Sequence, residues 1–230
     1  RDTPNSVATP NTGTDWLADV ADGAEIEFVS HKPDTFVSKK SADLSAAIKE
    51  MAQSATKELD IMSPYLIPTK NALAVFEDLI KNKGVRIRIV TNSLHSTDNL
   101  FAQAGYLHYK KRLIEMGVEL YEFNGPDTSH GKAFVVDGHI AFVGTYNLDP
   151  RSAFVNREVG IFVKSSPGNQ LAENLTAEIA RFRENALLVG KDGLPQNEDI
   201  QKERLKTISR LKRAELKGIR LLMPFIKSQI

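Results

Sequence analysis

Hydrophobic and polar positions along the first half of the chain follow two alternating periodicities, which predict an α/β fold. Short runs of alternating or continuous apolar residues predict strands, and these runs lie at 24–30, 58–64, 85–93 and 118–123. Between them, apolar residues spaced three or four apart predict helices, which fall within 44–55, 73–80 and 101–116. Gly117 stands where the third helix is expected to end, because glycine readily adopts the left-handed conformation that follows many helices.

The second half of the chain changes to three predicted strands in close succession, at 131–137, 140–144 and 157–164. Gly138-His139 forms the expected turn between the first two strands. A further helix is predicted from about Ser166-Pro167, with inward-facing residues Leu171, Leu175, Ile179 and Phe182. Strands that are apolar on both faces need covering on both sides. We therefore expect an α/β/α sandwich with a mixed, mostly parallel sheet.

Composition along the chain predicts three segments. Residues 1–20 are rich in Pro, Asn, Thr and Ser at their start and are expected to form a disordered linker. Residues 21–187 hold the predicted strands and helices and form the main domain. Residues 188–230 begin with a Gly- and Pro-containing break and continue as a basic, amphipathic C-terminal helix, which Pro224 is expected to kink or end.

Overall composition narrows the function classes. The chain has 230 residues, 41% of them hydrophobic, which suffices for one packed domain. It has no cysteine, which excludes disulfides, thiolate metal sites and cysteine nucleophiles. No apolar run reaches the length of a membrane span. Neither a metal nor a cofactor is expected. Because the sequence does not begin with Met, we expect it to be part of a longer protein.

Charge is unevenly distributed along the chain. Residues 201–230 hold nine basic and two acidic residues, whereas the whole chain has a net charge of only +1. Such a tail is expected either to pack as a solvated helix on its own domain or to face an anionic membrane surface. Nucleic acid is a less suitable partner, because base stacking favours aromatic residues among the cations and the tail offers only Phe225.

The residues that suggest chemistry lie between 129 and 162. His130 and Lys132 are two apart at the start of a predicted strand, and Thr145 and Asn147 are two apart just after the next strand. A hairpin between these strands would bring all four side chains to one edge of the sheet. An imidazole can attack phosphorus or move a proton near neutral pH, and a cation with an amide can stabilise phosphoryl oxygens.

The same stretch resembles the phospholipase D superfamily. The signature H-x-K-x-x-x-x-D reads His130-Gly-Lys132-Ala-Phe-Val-Val-Asp137, the following G-[ST]-x-N reads Gly144-Thr145-Tyr146-Asn147, and Glu158 stands where the family places a glutamate. Further segments resemble the C-terminal half of bacterial cardiolipin synthases: 63–68, 91–99 with 104–113, 117–123 and 147–152. The closing residues 224–230 are similar to the Pro-x-x-Ser-Gln-Leu ending of some of that group. The resemblance begins near residue 24 and implies an α/β/α sandwich that forms one of the usual two halves of the phospholipase D fold.

The resemblance also implies a mechanism that needs two motifs. One histidine attacks phosphorus to form a phosphohistidine, and a second histidine protonates the leaving alcohol and later activates water or an acceptor alcohol. This chain has one motif, since His31, His95, His108 and His139 lack the following Lys and Asp. We assign His130 the acid/base role if an N-terminal half carries the second motif. In a homodimer the two His130 side chains would be equivalent and either could attack.

The remaining site residues are assigned with alternatives. Asp137 belongs to the motif, yet it is expected to fix the Gly138 turn or pair with a buried cation more readily than to contact substrate. Glu158 is expected to orient a histidine ring, with a solvated strand residue as the alternative. Thr145 is expected either to bind phosphate or to cap the turn. Tyr65 is expected either to line the site or to pack against neighbouring side chains. Asp149 and Arg151 are expected to form a local ion pair.

Three functions follow from these assignments. The first is a phosphatidyltransferase or phosphodiesterase acting on phospholipids such as phosphatidylglycerol, bound peripherally to a bacterial cell membrane. The second is a dimeric one-motif nuclease. The third is a half-domain that is inactive without its N-terminal partner.

Overall fold

The computed structural model describes residues 24–31, 43–165, 170–196, 206 and 208–226. The linker predicted at 1–20, the helix start predicted near Ser166-Pro167 and the last four residues of the chain lie outside these ranges. Within them, one sheet is covered by helices on both faces, which confirms the predicted α/β architecture.

The sheet has eight strands in the order β1-β7-β6-β5-β2-β3-β4-β8. Their bounds are β1 (Ala24–Ser30), β2 (Glu58–Met62), β3 (Arg86–Asn92), β4 (Glu119–Phe123), β5 (Ala133–Val136), β6 (Ile140–Gly144), β7 (Val159–Ser165) and β8 (Ala186–Leu188). The mixed sheet is confirmed, but its expected mostly parallel character is wrong. Among the described residues only the β2–β3 and β3–β4 pairs are parallel, and the other five pairs are antiparallel. The β5–β6 pair is a hairpin, whereas the β1–β7, β2–β5 and β4–β8 pairs join strands that are distant in sequence.

Six helices are described, with bounds α1 (Asp43–Gln53), α2 (Lys70–Lys83), α3 (Leu100–Met116), α4 (Pro150–Phe154), α5 (Gln170–Glu184) and α6 (Arg210–Ile226). Gly117 follows α3 with φ = 98°, as its position in the sequence predicts. Helix α6 continues past Pro224 to Ile226. The short helix α4 was not predicted.

Two apolar layers hold the helices against the sheet. Residues of α1, α2 and α3 pack on one face, where Leu44, Phe76 and Leu113 are almost fully buried. The other face packs against α5 through Ala172 and Ile179. Leu171 was predicted to face inward as well, but 37% of its surface is exposed.

Strand β8 and helix α6 attach residues beyond 187 to the main body. Strand β8 pairs with β4, and it lies across the predicted domain boundary at 187–188. Helix α6 packs beside α3, where the side chain of Leu216 is buried and the ammonium of Lys212 donates to the carbonyl oxygen of Thr97 at 2.9 Å. The proposed three-segment division of the chain stays a prediction.

Candidate functional site

The candidate site lies at the edge of the sheet where β5 begins and β6 ends. These two strands are antiparallel, and the backbone N–H of Gly144 donates to the carbonyl oxygen of Lys132 at 3.3 Å. The residues before β5 therefore adjoin those after β6. This arrangement brings the 130–132 and 145–147 segments to one edge, as the predicted hairpin requires.

His130 and Lys132 form the closest pair of chemical groups at this edge. The Lys132 ammonium lies 3.2 Å from Nδ1 and 3.5 Å from Nε2 of His130, and it donates to the His130 carbonyl oxygen at 2.8 Å. Lys132 is only 8% exposed, whereas the His130 side chain is open to solvent. Burial lowers the pKa of Lys132, and the carboxylates of Glu158, Asp149 and Asp98 oppose that shift.

Gly131 allows this segment to lie close to the sheet. A Cβ atom at Gly131 would collide with the methyl group of Met62, the last residue of β2. This methyl group is the far end of a flexible side chain, so a larger residue at 131 would require Met62 to change its side-chain conformation. The glycine between His130 and Lys132 thus leaves room for the Met62 side chain.

Asn147 provides a polar group that has no partner within the described residues. Its side-chain oxygen is buried and accepts no hydrogen bond there, whereas its backbone N–H donates to the hydroxyl of Ser152 at 3.0 Å. Buried polar atoms in native proteins nearly always have a partner, so an unpaired one at a site suggests a ligand position.

Glu158 is a buried carboxylate held by three neighbouring side chains. It accepts from the hydroxyl of Ser152 at 2.7 Å, from the amide of Asn156 at 2.9 Å and from the hydroxyl of Thr145. With 4% of its surface exposed, Glu158 is not the solvated strand residue of the alternative interpretation. Among the described residues its carboxylate binds no histidine ring, so an orienting role toward a histidine stays a prediction.

Asp137 lies at the opposite end of β5 from His130. Its carboxylate accepts hydrogen bonds from the backbone N–H groups of Thr56, Lys57 and Glu58 and from the Thr56 hydroxyl, at 2.7–2.9 Å. The structure therefore does not bring Asp137 to the other motif residues. It ties the β5–β6 turn to the start of β2, a structural role that agrees with the turn-fixing alternative.

Tyr65 faces the imidazole of His130 edge-on, with 6.3 Å between the ring centroids. Its hydroxyl donates to Asp98 at 3.0 Å. Burial and this carboxylate raise the pKa of Tyr65 to about 12, so the phenol stays protonated at neutral pH. Tyr65 thus reaches the site from the loop after β2, which a bridge between Leu66 and Leu148 holds beside the Asn147 loop.

Asp149 differs from its prediction. Its carboxylate caps α4 by accepting from the backbone N–H of Ser152 at 2.8 Å, whereas the expected partner Arg151 is exposed to solvent. A Pro at the first helical position and an Asp before it are typical signals of a helix start. Both signals stand in the sequence as Asp149-Pro150 and could have predicted α4.

Two further site residues were not predicted. Ser152 is fully buried and joins the backbone of Asn147 to the carboxylate of Glu158. His31 follows β1, and its Nδ1 lies 2.9 Å from the Asn156 carbonyl oxygen and 3.1 Å from the Glu158 nitrogen. Ser152 is local to the motif, but only the long-range pairing of β1 with β7 brings His31 here.

The assembled groups suit an anionic phosphorus ester. A solvent-accessible imidazole stands beside a buried ammonium, and a carboxamide and a hydroxyl adjoin them on the neighbouring segment. Such a group can supply a nucleophile or proton carrier together with donors for charged oxygens. The described residues contain no cluster of three or more His, Asp or Glu side chains that could hold a metal ion.

Solved structures share this fold. Nuc, a phospholipase D family member from Salmonella typhimurium, superimposes with a TM-score of 0.57 at 16% identity, covering 72% of this chain and 97% of that one. A phosphatidylserine synthase from Haemophilus influenzae gives a TM-score of 0.59 at 19% identity, covering 86% of this chain and 47% of that one. At such low identity these matches show the fold alone.

Sequence comparisons identify the family. Cardiolipin synthase C of Escherichia coli is 33% identical over 152 residues, which is 59% of this chain and 32% of that protein. Minor cardiolipin synthase ClsB of Bacillus subtilis is 30% identical over 151 residues, 66% of this chain and 36% of that protein. The chain thus spans about a third of the length of these relatives. Residues 48–183 match the profile described as "Cardiolipin synthase, PLD-like domain", so the chain belongs to this family of the phospholipase D superfamily.

Proposed function

We propose that this chain supplies one half of a phospholipase D-type active site that transfers or hydrolyses the phosphatidyl group of a phospholipid such as phosphatidylglycerol. The observation that carries the proposal is the contact of 3.2 Å between the Lys132 ammonium and the exposed ring of His130. A fixed cation beside an accessible imidazole favours a phosphodiester over a neutral substrate.

His130 acts as nucleophile or as general acid/base in the proposed reaction. A histidine nitrogen attacks phosphorus, the bond from phosphorus to the leaving alcohol breaks, and a second histidine gives that alcohol a proton. Water or an acceptor alcohol then attacks phosphorus, and the bond from phosphorus to the histidine nitrogen breaks. The second histidine, which lost its proton in the first step, takes the proton of the attacking hydroxyl. Lys132 and the Asn147 amide stabilise the nonbridging oxygens during both steps. Thr145 supports the site indirectly, because its hydroxyl proton is donated to Glu158.

A partner half is proposed because the mechanism needs a second histidine. An exposed apolar patch beside the site offers a surface for it, and consists of Ile26, Phe28, Val143, Val159 and Ile161, each 39–67% exposed. Phe28, Ile161 and Val143 lie side by side on three neighbouring strands. The patch continues the face that α5 covers at Ala141 and Val163. Its partner is an N-terminal half with a second motif or another copy of this chain.

Peripheral binding to a membrane is proposed through α6. Leu211 and Leu221 are 69% and 78% exposed, and Arg210, Lys217 and Arg220 are exposed on the same helix. A helix with apolar and basic side chains on its open surface suits an anionic lipid interface. No helix among the described residues combines the length and apolar character that crossing a bilayer requires.

The experiment that tests this function uses the full-length parent protein and phosphatidylglycerol vesicles. His130→Ala should abolish product formation and leave the melting temperature nearly unchanged, because the ring is exposed. His108→Ala, on the exposed surface of α3, is the matched control and should keep full activity. An active His130→Ala protein, or an inactive but folded wild type, would contradict the proposal.

The partner surface is tested in the same assay. Ile161→Lys should separate the partner half or the second copy and abolish activity, since burying a lysine in an apolar interface is costly. Leu194→Lys, at an exposed position outside the patch, should leave assembly intact. Sedimentation of each variant distinguishes the two outcomes. DNA cleavage by a dimer, with no reaction on vesicles, would instead favour the nuclease alternative.

A further inference from the structure

An apolar cavity of about 270 Å³ lies between α1, α2 and α4, on the opposite face of the sheet from α5. Its inner wall is formed by buried side chains that belong to the main core, including Ile48, Val75, Phe76, Phe134 and Leu148. The cavity opens to solvent, since Ala46, Lys49 and Phe154 line it and are exposed. Small-molecule sites commonly take this form, an apolar concave surface with a few polar groups at its edge.

Two hydroxyl groups that line this cavity have hydrogen-bond partners within the protein. The hydroxyl of Ser45 lies 3.4 Å from both the Tyr146 hydroxyl and the Ala153 carbonyl oxygen. The hydroxyl of Thr69 accepts from the backbone N–H of Ala72 at 3.1 Å and caps α2. Because these groups are engaged with the protein, the interior offers no strong site for water and suits a hydrocarbon.

The rim of the cavity differs in chemistry from its interior. Lys49 and Asn71 are exposed lining residues, and Phe154 lines the cavity with 48% of its surface exposed. An ammonium at the rim of an apolar cavity complements a ligand with an apolar tail and an anionic head. If a methylene group takes roughly the 30 Å³ of a water molecule, the cavity holds about nine carbons.

The cavity shares a wall with the candidate site. Tyr146 and Leu148 line it, and Asn147 lies between them in sequence. Ala153 also lines it and follows Ser152, which binds both Asn147 and Glu158. A ligand in the cavity would thus contact the segment that positions two of the site's polar groups.

We infer that this cavity binds the alkyl chain of an anionic amphiphile, with the chain among the core residues and the head near Lys49. The chain belongs either to a free fatty acid or to an anionic phospholipid, whose shared chemistry is an acyl chain with a negative head. This site is separate from His130, and its existence does not depend on the proposed catalytic reaction.

Calorimetric titration of the chain with dodecanoate and with dioctanoylphosphatidylglycerol, each below its micelle concentration, tests the inference. Ala72→Phe places a ring in the cavity and should weaken binding about tenfold or more. Ala74→Phe, on the exposed side of the same helix, should bind as the wild type does. Ala46→Phe, at an exposed lining position, repeats the test if Ala72→Phe fails to fold.

The contribution of the Lys49 charge to binding is tested by a second pair of variants. Lys49→Glu should weaken dodecanoate binding about tenfold and leave dodecanol binding unchanged, whereas Lys57→Glu, exposed outside the cavity, should change neither. Binding of dodecanoate alone identifies a free fatty acid, and binding of both probes identifies a phospholipid chain. The inference is overturned if neither probe binds. It is also overturned if folded Ala72→Phe and Ala46→Phe proteins bind with the affinity of the wild type.

Discussion

At the scale of single residues, Ser152 links two groups of the candidate site, the backbone of Asn147 and the carboxylate of Glu158. Its hydroxyl accepts from the backbone N–H of Asn147 and donates to Glu158, and it has no exposure to solvent. Removing this hydroxyl takes one hydrogen-bond partner from the backbone N–H of Asn147 and one from the carboxylate of Glu158. Such losses change the position of neighbouring groups as well as the stability.

Ser152→Ala should therefore reduce activity in the vesicle assay by about tenfold or more and cost about 1–3 kcal/mol of folding free energy. Ser165→Ala is the matched control, because its buried hydroxyl donates to the His139 carbonyl oxygen at 3.0 Å, beyond the other end of the β5–β6 hairpin. Both variants should lose stability in urea titrations, but only Ser152→Ala should lose activity. Equal activities in the two variants would remove Ser152 from the site.

Lys132 predicts a dependence of stability on pH. Burial holds its pKa below the ordinary 10.5, so the unfolded chain binds more protons than the native protein between the two values. The fold must therefore gain stability from this group as pH rises through that interval. Lys132→Met removes the group, so the wild type should gain stability relative to the variant between neutral and alkaline pH in urea titrations. A difference that stays constant with pH would contradict the pKa shift.

The sequence could predict the individual residues of the site where the chemistry is local. His130, Lys132, Thr145 and Asn147 follow from spacing on two adjacent strands, and the hairpin between them is a local contact. The position of His31 could not be predicted in the same way. It reaches Glu158 only because β1 pairs with β7, more than a hundred residues away in sequence, and no periodicity encodes that pairing.

At the scale of elements, Asp137 fixes the end of β5 to the start of β2. It has φ = 50°, a left-handed conformation that Asp and Asn tolerate better than other non-glycine residues. Burial opposes its ionisation, but hydrogen bonds from Glu58, Thr56 and Lys57 outweigh burial and lower the pKa of Asp137. The stabilisation from this carboxylate is present above its unfolded pKa and is lost as pH falls through its folded pKa.

Asp137→Asn keeps the backbone conformation and removes the charge, so it should cost about 1–2 kcal/mol at neutral pH. The difference from the wild type should shrink in acid, where the native carboxylate is protonated too. Melting temperatures of both proteins from neutral to strongly acidic pH give the measurement. The folded variant should keep its activity, because this residue lies at the far end of β5. Lost activity with wild-type stability would instead place Asp137 in the chemistry.

Element prediction succeeded where the hydrophobic pattern was long. Strands β1 to β7 and helices α1 to α3 all lie at their predicted places, within a few residues. Strand β8 has three residues at the start of a predicted break, and α4 has five, so neither is long enough to show a period. Strand direction also depends on which strands pair, and this is decided by packing across the sheet rather than by local sequence.

At the scale of the whole molecule, α6 gives the protein a basic surface beyond the sheet. The helix packs on α3 while Arg210, Lys217 and Arg220 remain exposed, which agrees with a solvated helix packed on its own domain. Contact of these cations with an anionic membrane stays a proposal. Each basic residue near an anionic surface contributes about 1 kcal/mol to binding.

Replacing Arg210, Lys217 and Arg220 together with Glu should therefore release the protein from vesicles that contain anionic lipid. Lys57, Lys111 and Arg112 are exposed elsewhere and provide a control triple with the same change of charge. Co-sedimentation with vesicles at low and high salt measures the effect, which should diminish as salt screens the charges. Equal release of both triples would show that net charge matters and the helix does not.

The unpaired oxygen of Asn147 has a consequence for finding an acceptor alcohol for the proposed transfer. A compound that donates a hydrogen bond to this atom binds the native state, and such a compound raises the temperature at which the protein melts. Melting curves recorded with a series of small alcohols and polyols would rank candidate acceptors without any need for turnover, with Asn147→Ala as the reference that removes their general stabilising effect.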